Sequence, residues 1–101
     1  MTDSKRLSIY NRYHGHCAYC GQYMKQKNMT VDHLIPQSKG GGNNIENLMP
    51  CCKSCNSMKA ADSLEVFRLR FFWGTLHPSE LSTYDNMISV MKKKNFYFET
   101  E

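Results

Sequence analysis

The sequence predicts a small α+β domain in which paired cysteines supplement a modest apolar core. Three features predict it: helical apolar spacing near both ends, a short apolar run at 29–35, and two Cys-x2-Cys pairs that flank this run, Cys17 with Cys20 and Cys52 with Cys55. A chain of 101 residues suits one domain. Because such a domain buries a modest core, a cross-link between the pairs is expected to contribute much of its stability.

In the N-terminal half, the elements follow from apolar spacing and from the residues that interrupt it. Leu7, Tyr10 and Tyr13 recur at threefold spacing on one face of a helix. Pro36 ends the strand because it has no N–H for a ladder hydrogen bond, and the glycine-rich segment after it favours a loop. The predicted order is helix 4–13, cysteine knuckle 17–21, irregular turn 22–28, strand 29–35 and loop 38–44.

In the C-terminal half, the sequence predicts three helices. The first carries the second cysteine pair in its opening turn, and Asp62-Ser63-Leu64-Glu65 is a capping signal for the next. The predicted order is helix 52–60, helix 62–74, helix 79–94 and a short strand or frayed tail at 95–101. A motif core at about 15–60 and a helical extension at about 62–95 therefore form a single expected domain, 1–101.

Charge and composition limit the cellular compartments and the kinds of partner that are compatible with the sequence. The N-terminal residues are polar, and no run approaches the length of a membrane span. Five cysteines, without an apolar signal segment, predict a reducing, cytoplasmic compartment in which paired cysteines bind metal more often than they form disulfides. Thirteen Lys and Arg against nine Asp and Glu give a net charge of +4, which is compatible with a nucleic-acid partner without identifying one.

The two cysteine pairs predict a structural zinc site. Four thiolates are the number that a tetrahedral zinc requires. The alternative is that all five cysteines are ordinary core residues. Cys51 lies four residues before Cys55 and fits a knuckle less well, so Cys52 is assigned to zinc and Cys51 to the core. A zinc closed by four thiolates has no open position and is not expected to be catalytic.

A second metal site is indicated by oxygen-bearing side chains between and after the cysteine pairs. The Asp32 carboxylate and the Asn56 carbonyl oxygen suit Mg²⁺ or Mn²⁺. His33 is free of the zinc, and a neutral imidazole can accept a proton from water at physiological pH. The alternative is that Asp32 and His33 are a polar pair that closes a strand.

Five stretches of the chain form one combined pattern, which is far more specific than any single piece. They are Gly-His-Cys-Ala-Tyr-Cys-Gly at 15–21, Val-Asp-His-Leu-Ile-Pro at 31–36, Ser-Lys-Gly-Gly at 38–41, Asn-Leu-Met-Pro at 47–50, and Cys-Lys-Ser-Cys-Asn-Ser-Met-Lys at 52–59. On these residues the chain resembles HNH endonucleases of the zinc-containing His-Me finger class. Its small, single-module form resembles the HNH proteins of phages and prophages.

The resemblance implies a ββα-metal fold, in which two strands, an Ω-like loop and a helix hold a divalent cation. At the matching positions, His33 is the general base, Asp32 is the metal-binding acid and Asn47 holds the loop backbone. Asn56 takes the last motif position, where many members have histidine, and asparagine there favours Mg²⁺ or Mn²⁺. The implied reaction is metal-dependent hydrolysis of DNA phosphodiester bonds, with His33 activating water.

Double-stranded DNA is the expected substrate, and no membrane partner is expected. The candidate contacts to the DNA backbone are Lys39, Lys53 and Lys59. A solvated turn explains Lys39 equally well. For Lys53 and Lys59, a solvated surface position is the simpler interpretation. The helix at 79–94 is a candidate homodimer face, but a monomer core explains its pattern equally well. Packaging and other DNA-processing proteins of phages are further candidate partners.

Two other functions are compatible with the same residues. A non-catalytic zinc module that binds nucleic acid or a partner protein can share this fold, because fold does not determine function. Such a module would be expected to have lost one of the catalytic residues, and none is missing. A resolvase-like enzyme acting on branched DNA would use the same site, so substrate assays alone would separate it.

Overall fold

Two short antiparallel strands and the helix that follows them form the centre of the fold. The computed structural model describes residues 1–100. Its helices and strands are α1 (Asp3–Asn11), β1 (Thr30–His33), β2 (Leu48–Cys51), α2 (Lys53–Lys59), α3 (Leu64–Phe72), α4 (Tyr84–Met91) and α5 (Tyr97–Thr100). The predicted α+β class is confirmed. The longest helices have nine residues, and none within residues 1–100 has the length and apolar character to cross a membrane.

The strands pair in a register that places Thr30 opposite Cys51 and His33 opposite Leu48. All four residues of β2 are buried, whereas β1 buries only Asp32. A proline is tolerated in β2 because the sheet has two strands, and the Pro50 carbonyl accepts a hydrogen bond from Ala18 N at 2.9 Å. Apolar spacing predicts only β1; the second strand is implied by the family resemblance alone.

The C-terminal segment packs onto the first cysteine knuckle through aromatic rings. Phe96 is fully buried, and its ring centroid lies 5.3 Å from that of Tyr19 and 5.1 Å from that of Phe67. Phe98 N donates to Ala18 O at 2.8 Å, which joins the two segments through their backbones. The expected short strand or frayed tail at 95–101 is therefore wrong up to residue 100, where a buried phenylalanine is followed by one helical turn; residue 101 lies outside the described part.

The last long helix is shorter than its apolar spacing predicts. The expected helix over 79–94 is divided into a 3-10 turn at Pro78–Leu81 and α4, which begins after Thr83. The Thr83 hydroxyl accepts a hydrogen bond from Asn86 N at 3.0 Å and so caps a new helix. Side chains that bond to the local backbone compete in this way with helix continuation.

We predict that Phe96→Ala lowers the free energy of unfolding by about 3–5 kcal/mol, because it empties a fully buried aromatic site. Urea unfolding followed by circular dichroism measures this change. Tyr84→Ala is the matched control, since Tyr84 is 73% exposed and its replacement is expected to change stability by no more than about 0.5 kcal/mol. Equal effects of the two substitutions would mean that the C-terminal segment is not docked.

Candidate functional site

The four predicted zinc cysteines converge in space from two separate turns. Cys17 and Cys20 lie on the turn closed by the hydrogen bond from Gly21 N to Cys17 O at 3.0 Å. Cys52 is the N-terminal cap of α2, and Cys55 N donates to its sulfur at 3.5 Å. The four Sγ atoms all lie within 4.8 Å of one another. Cys51 is buried outside this group, as its assignment to the core predicts.

The electrostatics of these sulfurs fit a bound cation. Burial raises the pKa of Cys20 to about 11. Hydrogen bonds from the Cys51 and Cys55 thiols lower the pKa of Cys17, while hydrogen bonding to Cys17 and burial raise the pKa of Cys55. Four thiolates this close repel one another strongly, so a divalent cation is needed before all four can ionise together. Four sulfur donors at this spacing suit zinc.

The residues predicted for catalysis line one open cleft next to the cysteine group. Asp32 and His33 come from β1, and Asn56 comes from the second turn of α2. All three line a cleft of about 340 Å³, which Val31 and Ala60 also line. The structure therefore brings the predicted carboxylate, imidazole and amide together on one surface, with α2 packed across β1.

Asp32 is held by two neighbours whose contact with it the sequence analysis did not predict. It is 5% exposed, and its Oδ2 accepts hydrogen bonds from Tyr19 Oη at 2.6 Å and from Lys59 Nζ at 3.0 Å. Lys59 Nζ also donates to His33 O at 2.9 Å. Burial, followed by the charge of Asp32, raises the pKa of Tyr19, so this hydroxyl remains a donor.

The prediction that Lys59 contacts DNA is wrong. The side chain is completely buried and its ammonium group is paired with Asp32, so it is not available to a phosphate. Its position at the end of α2 turns the side chain inward beneath β1 instead of toward solvent. A buried lysine is retained only where its charge is paired, which is the case here.

The remaining oxygen of Asp32 is the one that suits a cation. Both hydrogen bonds fall on Oδ2, and within residues 1–100 no buried side-chain oxygen or nitrogen lacks a partner. Oδ1 takes part in neither of these hydrogen bonds, and Asp32 lines the cleft together with Asn56. A carboxylate and an amide oxygen in one cleft, with room for water and phosphate oxygens, fit the hard-ligand preference of Mg²⁺ or Mn²⁺.

The orientation of His33 follows from a contact with Asn43 in the loop between the strands. His33 Nε2 lies 2.8 Å from Asn43 Oδ1, and Gln37 Nε2 lies 3.3 Å from the same oxygen. An amide oxygen only accepts, so the tautomer that fits this contact has the proton on Nε2 and the lone pair on Nδ1. A role for Asn43 was not predicted from the sequence, because its place in a glycine-rich loop does not distinguish it from the other loop residues. Only its contact with His33 does so.

Asn47 holds the loop between the strands through its side chain. Its Oδ1 accepts from Ile35 N at 2.8 Å, and its Nδ2 donates to Ile35 O at 3.1 Å and to Gly42 O at 2.9 Å. A Cβ atom at Gly41 would lie 1.7 Å from Ile35 O, so only glycine permits this close approach. These contacts are the ones that the implied loop-holding role requires of Asn47.

The two other candidate DNA contacts are both exposed. Lys39 ends the 3-10 turn Gln37–Lys39, and Lys53 is the first residue of α2. Neither lines the cleft with Asp32 and His33. Their contact with DNA stays a prediction.

The chain matches the family model of the HNH endonuclease over residues 17–72. It is 36% identical over 58 residues to the CRISPR-associated endonuclease Cas9 of Corynebacterium diphtheriae, covering 56% of this chain and 5% of that protein. The Cas9 of Listeria innocua is 31% identical over 104 residues, covering 97% of this chain and 7% of that protein. The fold is similar to the crystal structure of the Type II-C Cas9 enzyme from Actinomyces naeslundii, with a TM-score of 0.61 and 28% identity over 66% of this chain and 8% of that chain.

This chain therefore spans less than a tenth of the length of each of these relatives. The matched region contains Asp32, His33, Asn47 and Asn56, and it continues beyond residue 59, where the resemblance was expected to end. The named relatives are Cas9 endonucleases, so the phage or prophage type stays a prediction.

We predict that the purified protein carries one zinc per chain, that Cys20→Ser loses it, and that Cys51→Ser keeps it. The reason is that Cys20 is one of the four converging sulfurs and Cys51 is not. Metal analysis by mass spectrometry measures the zinc content. Loss of zinc from Cys51→Ser but not from Cys20→Ser would show that the ligand set is wrong.

We predict that Lys59→Met lowers the free energy of unfolding by about 3–5 kcal/mol, because Asp32 is left buried without its charge partner. The double variant Asp32→Asn with Lys59→Met removes both charges and is expected to recover much of this loss. Lys53→Met, on the exposed side of the same helix, is the control. Chemical denaturation compares all three; a Lys59→Met protein as stable as the Lys53→Met control would contradict the buried pair.

Proposed function

This chain belongs to the HNH endonuclease family, and on that premise we propose that it is a metal-dependent endonuclease that hydrolyses phosphodiester bonds of double-stranded DNA. The observation that carries the proposal is the single cleft lined by Asp32, His33 and Asn56. A base, a carboxylate and an amide oxygen that face one space are the groups that such hydrolysis needs.

In this proposal, His33 is the general base. Its Nδ1 accepts a proton from a water molecule while Asn43 holds the protonated Nε2. The water oxygen forms a bond to phosphorus in line with the leaving group, and the bond from phosphorus to the 3′ oxygen breaks. His33 thus gains one proton, and the products are a 5′ phosphate and a 3′ hydroxyl that takes its proton from solvent.

Asp32 and Asn56 would hold one Mg²⁺ or Mn²⁺ through their side-chain oxygens. When bound, the cation supplies positive charge that stabilises the phosphate and the leaving oxygen. Tyr19 and Lys59 both bond to Oδ2 of Asp32, which leaves Oδ1 of this carboxylate for the cation. Asn47 acts indirectly, because it holds the loop that carries Asn43 and the edge of the cleft.

The finer expectations rest on the same proposal. One cleft hydrolyses one bond in each event, so the enzyme would nick one strand, and cutting both strands would require a homodimer or two successive events. The face of α4 stays a candidate for such a dimer. The resemblance also implies a location, the cytoplasm of a bacterium or of a phage-infected cell. It further implies phage packaging or DNA-processing proteins as partners. Both stay expectations.

We predict that the protein converts supercoiled plasmid to the nicked form only with added Mg²⁺ or Mn²⁺, and that His33→Ala lowers the rate by at least about 100-fold because the proton acceptor is removed. Gel electrophoresis of plasmid with and without EDTA measures both effects. His77→Ala is the control, since this exposed histidine lies at a turn before α4 and does not line the cleft.

Cleavage by His33→Ala at the unsubstituted rate would overturn the assignment of the base. Failure of the zinc-loaded, unsubstituted protein to cut with either metal would instead favour the alternative, a non-catalytic zinc module that binds nucleic acid or a partner protein. If the unsubstituted protein does cut, the ratio of nicked to linear plasmid separates single-strand from double-strand cutting.

A further inference from the structure

A second groove, larger than the catalytic cleft, lies at the other end of β1. It has a volume of about 530 Å³, against about 340 Å³ for the cleft. Its charged lining residues are all lysines, Lys25, Lys27 and Lys53, and each is exposed. We call these residues and the space between them the lysine groove.

The lysine groove and the catalytic cleft share the same two elements. On β1, Thr30 lines the groove, while Asp32 and His33 line the cleft. On α2, Lys53 lines the groove and Asn56 lines the cleft. Because a strand rises about 3.3 Å per residue, Thr30 and His33 are about 10 Å apart along β1. The two depressions therefore adjoin the same strand and the same helix, with the groove at the start of β1 and the cleft toward its end.

The charges of the lysine groove have no internal partners. Within residues 1–100, the ion pairs engage Lys59, Arg68 and Arg70, and none of the groove lysines. No acidic residue lines the groove, although Lys27 also borders a small neighbouring cleft that contains Asp3 and Arg6. Three unpaired ammonium groups around one depression attract an anion from outside the chain.

The remaining lining residues suit a nucleic-acid backbone. Neutral hydrogen-bonding side chains accompany the lysines, among them Gln22, Asn28 and Ser54. Amines, amides and hydroxyls are the groups that commonly contact phosphate and sugar, and such contacts position a strand without reading its sequence. The ring of Tyr23, 64% exposed, lies at the same groove and adds an aromatic surface.

From this arrangement we infer that the lysine groove binds the phosphates of the DNA strand that continues from the scissile bond in the cleft. The inference rests on the proposed function for the position of the scissile bond. Lys25 and Lys27 contact phosphates beyond those near Lys53, and together they set the direction in which the cleaved strand crosses the protein. The groove contributes affinity and register, and the chemistry stays with the cleft.

A competing account assigns these lysines to the zinc site. Zinc with four thiolates carries a formal charge of about −2, and Cys52 lines the lysine groove. The lysines would then serve only to offset that charge. In this account, neutral replacements weaken zinc retention, whereas in the inferred account they weaken DNA binding and leave zinc in place.

The test is the double variant Lys25→Gln with Lys27→Gln in a His33→Ala protein, which prevents cleavage during the binding measurement. The control double variant is Lys92→Gln with Lys93→Gln, which removes the same charge from exposed positions that line neither the groove nor the cleft. Fluorescence anisotropy measures the affinity for a short DNA duplex at several salt concentrations, and metal analysis measures zinc in each protein.

The groove variant is expected to bind DNA more weakly than the control. Its plot of log affinity against log salt is expected to be shallower by about 0.9 for each phosphate that the protein no longer neutralises. Zinc content is expected to stay at one per chain in both. Affinity and slope equal to those of the control, or a loss of zinc in the groove variant, would each overturn the inference.

The test of the lysine groove and the test of the nuclease proposal can fail independently of each other. If the unsubstituted protein nicks plasmid but the groove variant binds like the control, the groove inference is wrong and the nuclease proposal stands. If the unsubstituted protein never nicks plasmid but the groove variant binds more weakly than the control, the nuclease proposal fails and the groove remains a DNA-binding surface.

Discussion

The cross-link between the first cysteine knuckle and α2 is the constraint on which the rest of the structure depends. The knuckle carries Tyr19, and α2 carries Asn56 and Lys59. Tyr19 and Lys59 both donate to the same oxygen of Asp32. Two of the four sulfurs, which all lie within 4.8 Å of one another, come from the knuckle, and the other two come from the start of α2. The four-cysteine group thus brings together the two elements whose side chains hold the candidate catalytic carboxylate.

Energetic considerations explain why such a small chain can keep a buried ion pair. Structural zinc contributes about 10–16 kcal/mol of apparent binding free energy in small zinc domains, comparable to or larger than the net stability of a typical domain. The aromatic cluster around Phe67 and Phe96 adds a second region of burial behind the knuckle. Against these contributions, the desolvation of Asp32 and Lys59 is tolerated because each charge has its partner and further hydrogen bonds.

The sequence predicts those parts of the site that depend on local spacing. Two cysteines with two residues between them share a turn, so each knuckle could be predicted. Asp32 and His33 are adjacent in sequence, so their place on one strand could be predicted as well. The burial of the Lys59 side chain could not be predicted, because the sequence of a short helix does not distinguish a buried lysine at its end from an exposed one. The contact of Asn43 with His33 joins residues 10 positions apart across a loop, and loop paths carry no periodic signal. The docking of Phe96 depends on a partner surface formed by the distant knuckle, which tail composition does not reveal.

The most direct test is anomalous diffraction from crystals of the zinc-loaded protein grown with Mn²⁺. The account predicts a zinc peak among the four sulfurs and a manganese peak within coordination distance of Asp32 Oδ1 and the Asn56 side-chain oxygen, with Lys59 still bonded to Oδ2. Manganese bound elsewhere, or bound to Asp32 only after Lys59 has been displaced from it, would contradict the claim that the zinc-linked frame prepares this carboxylate for a catalytic cation.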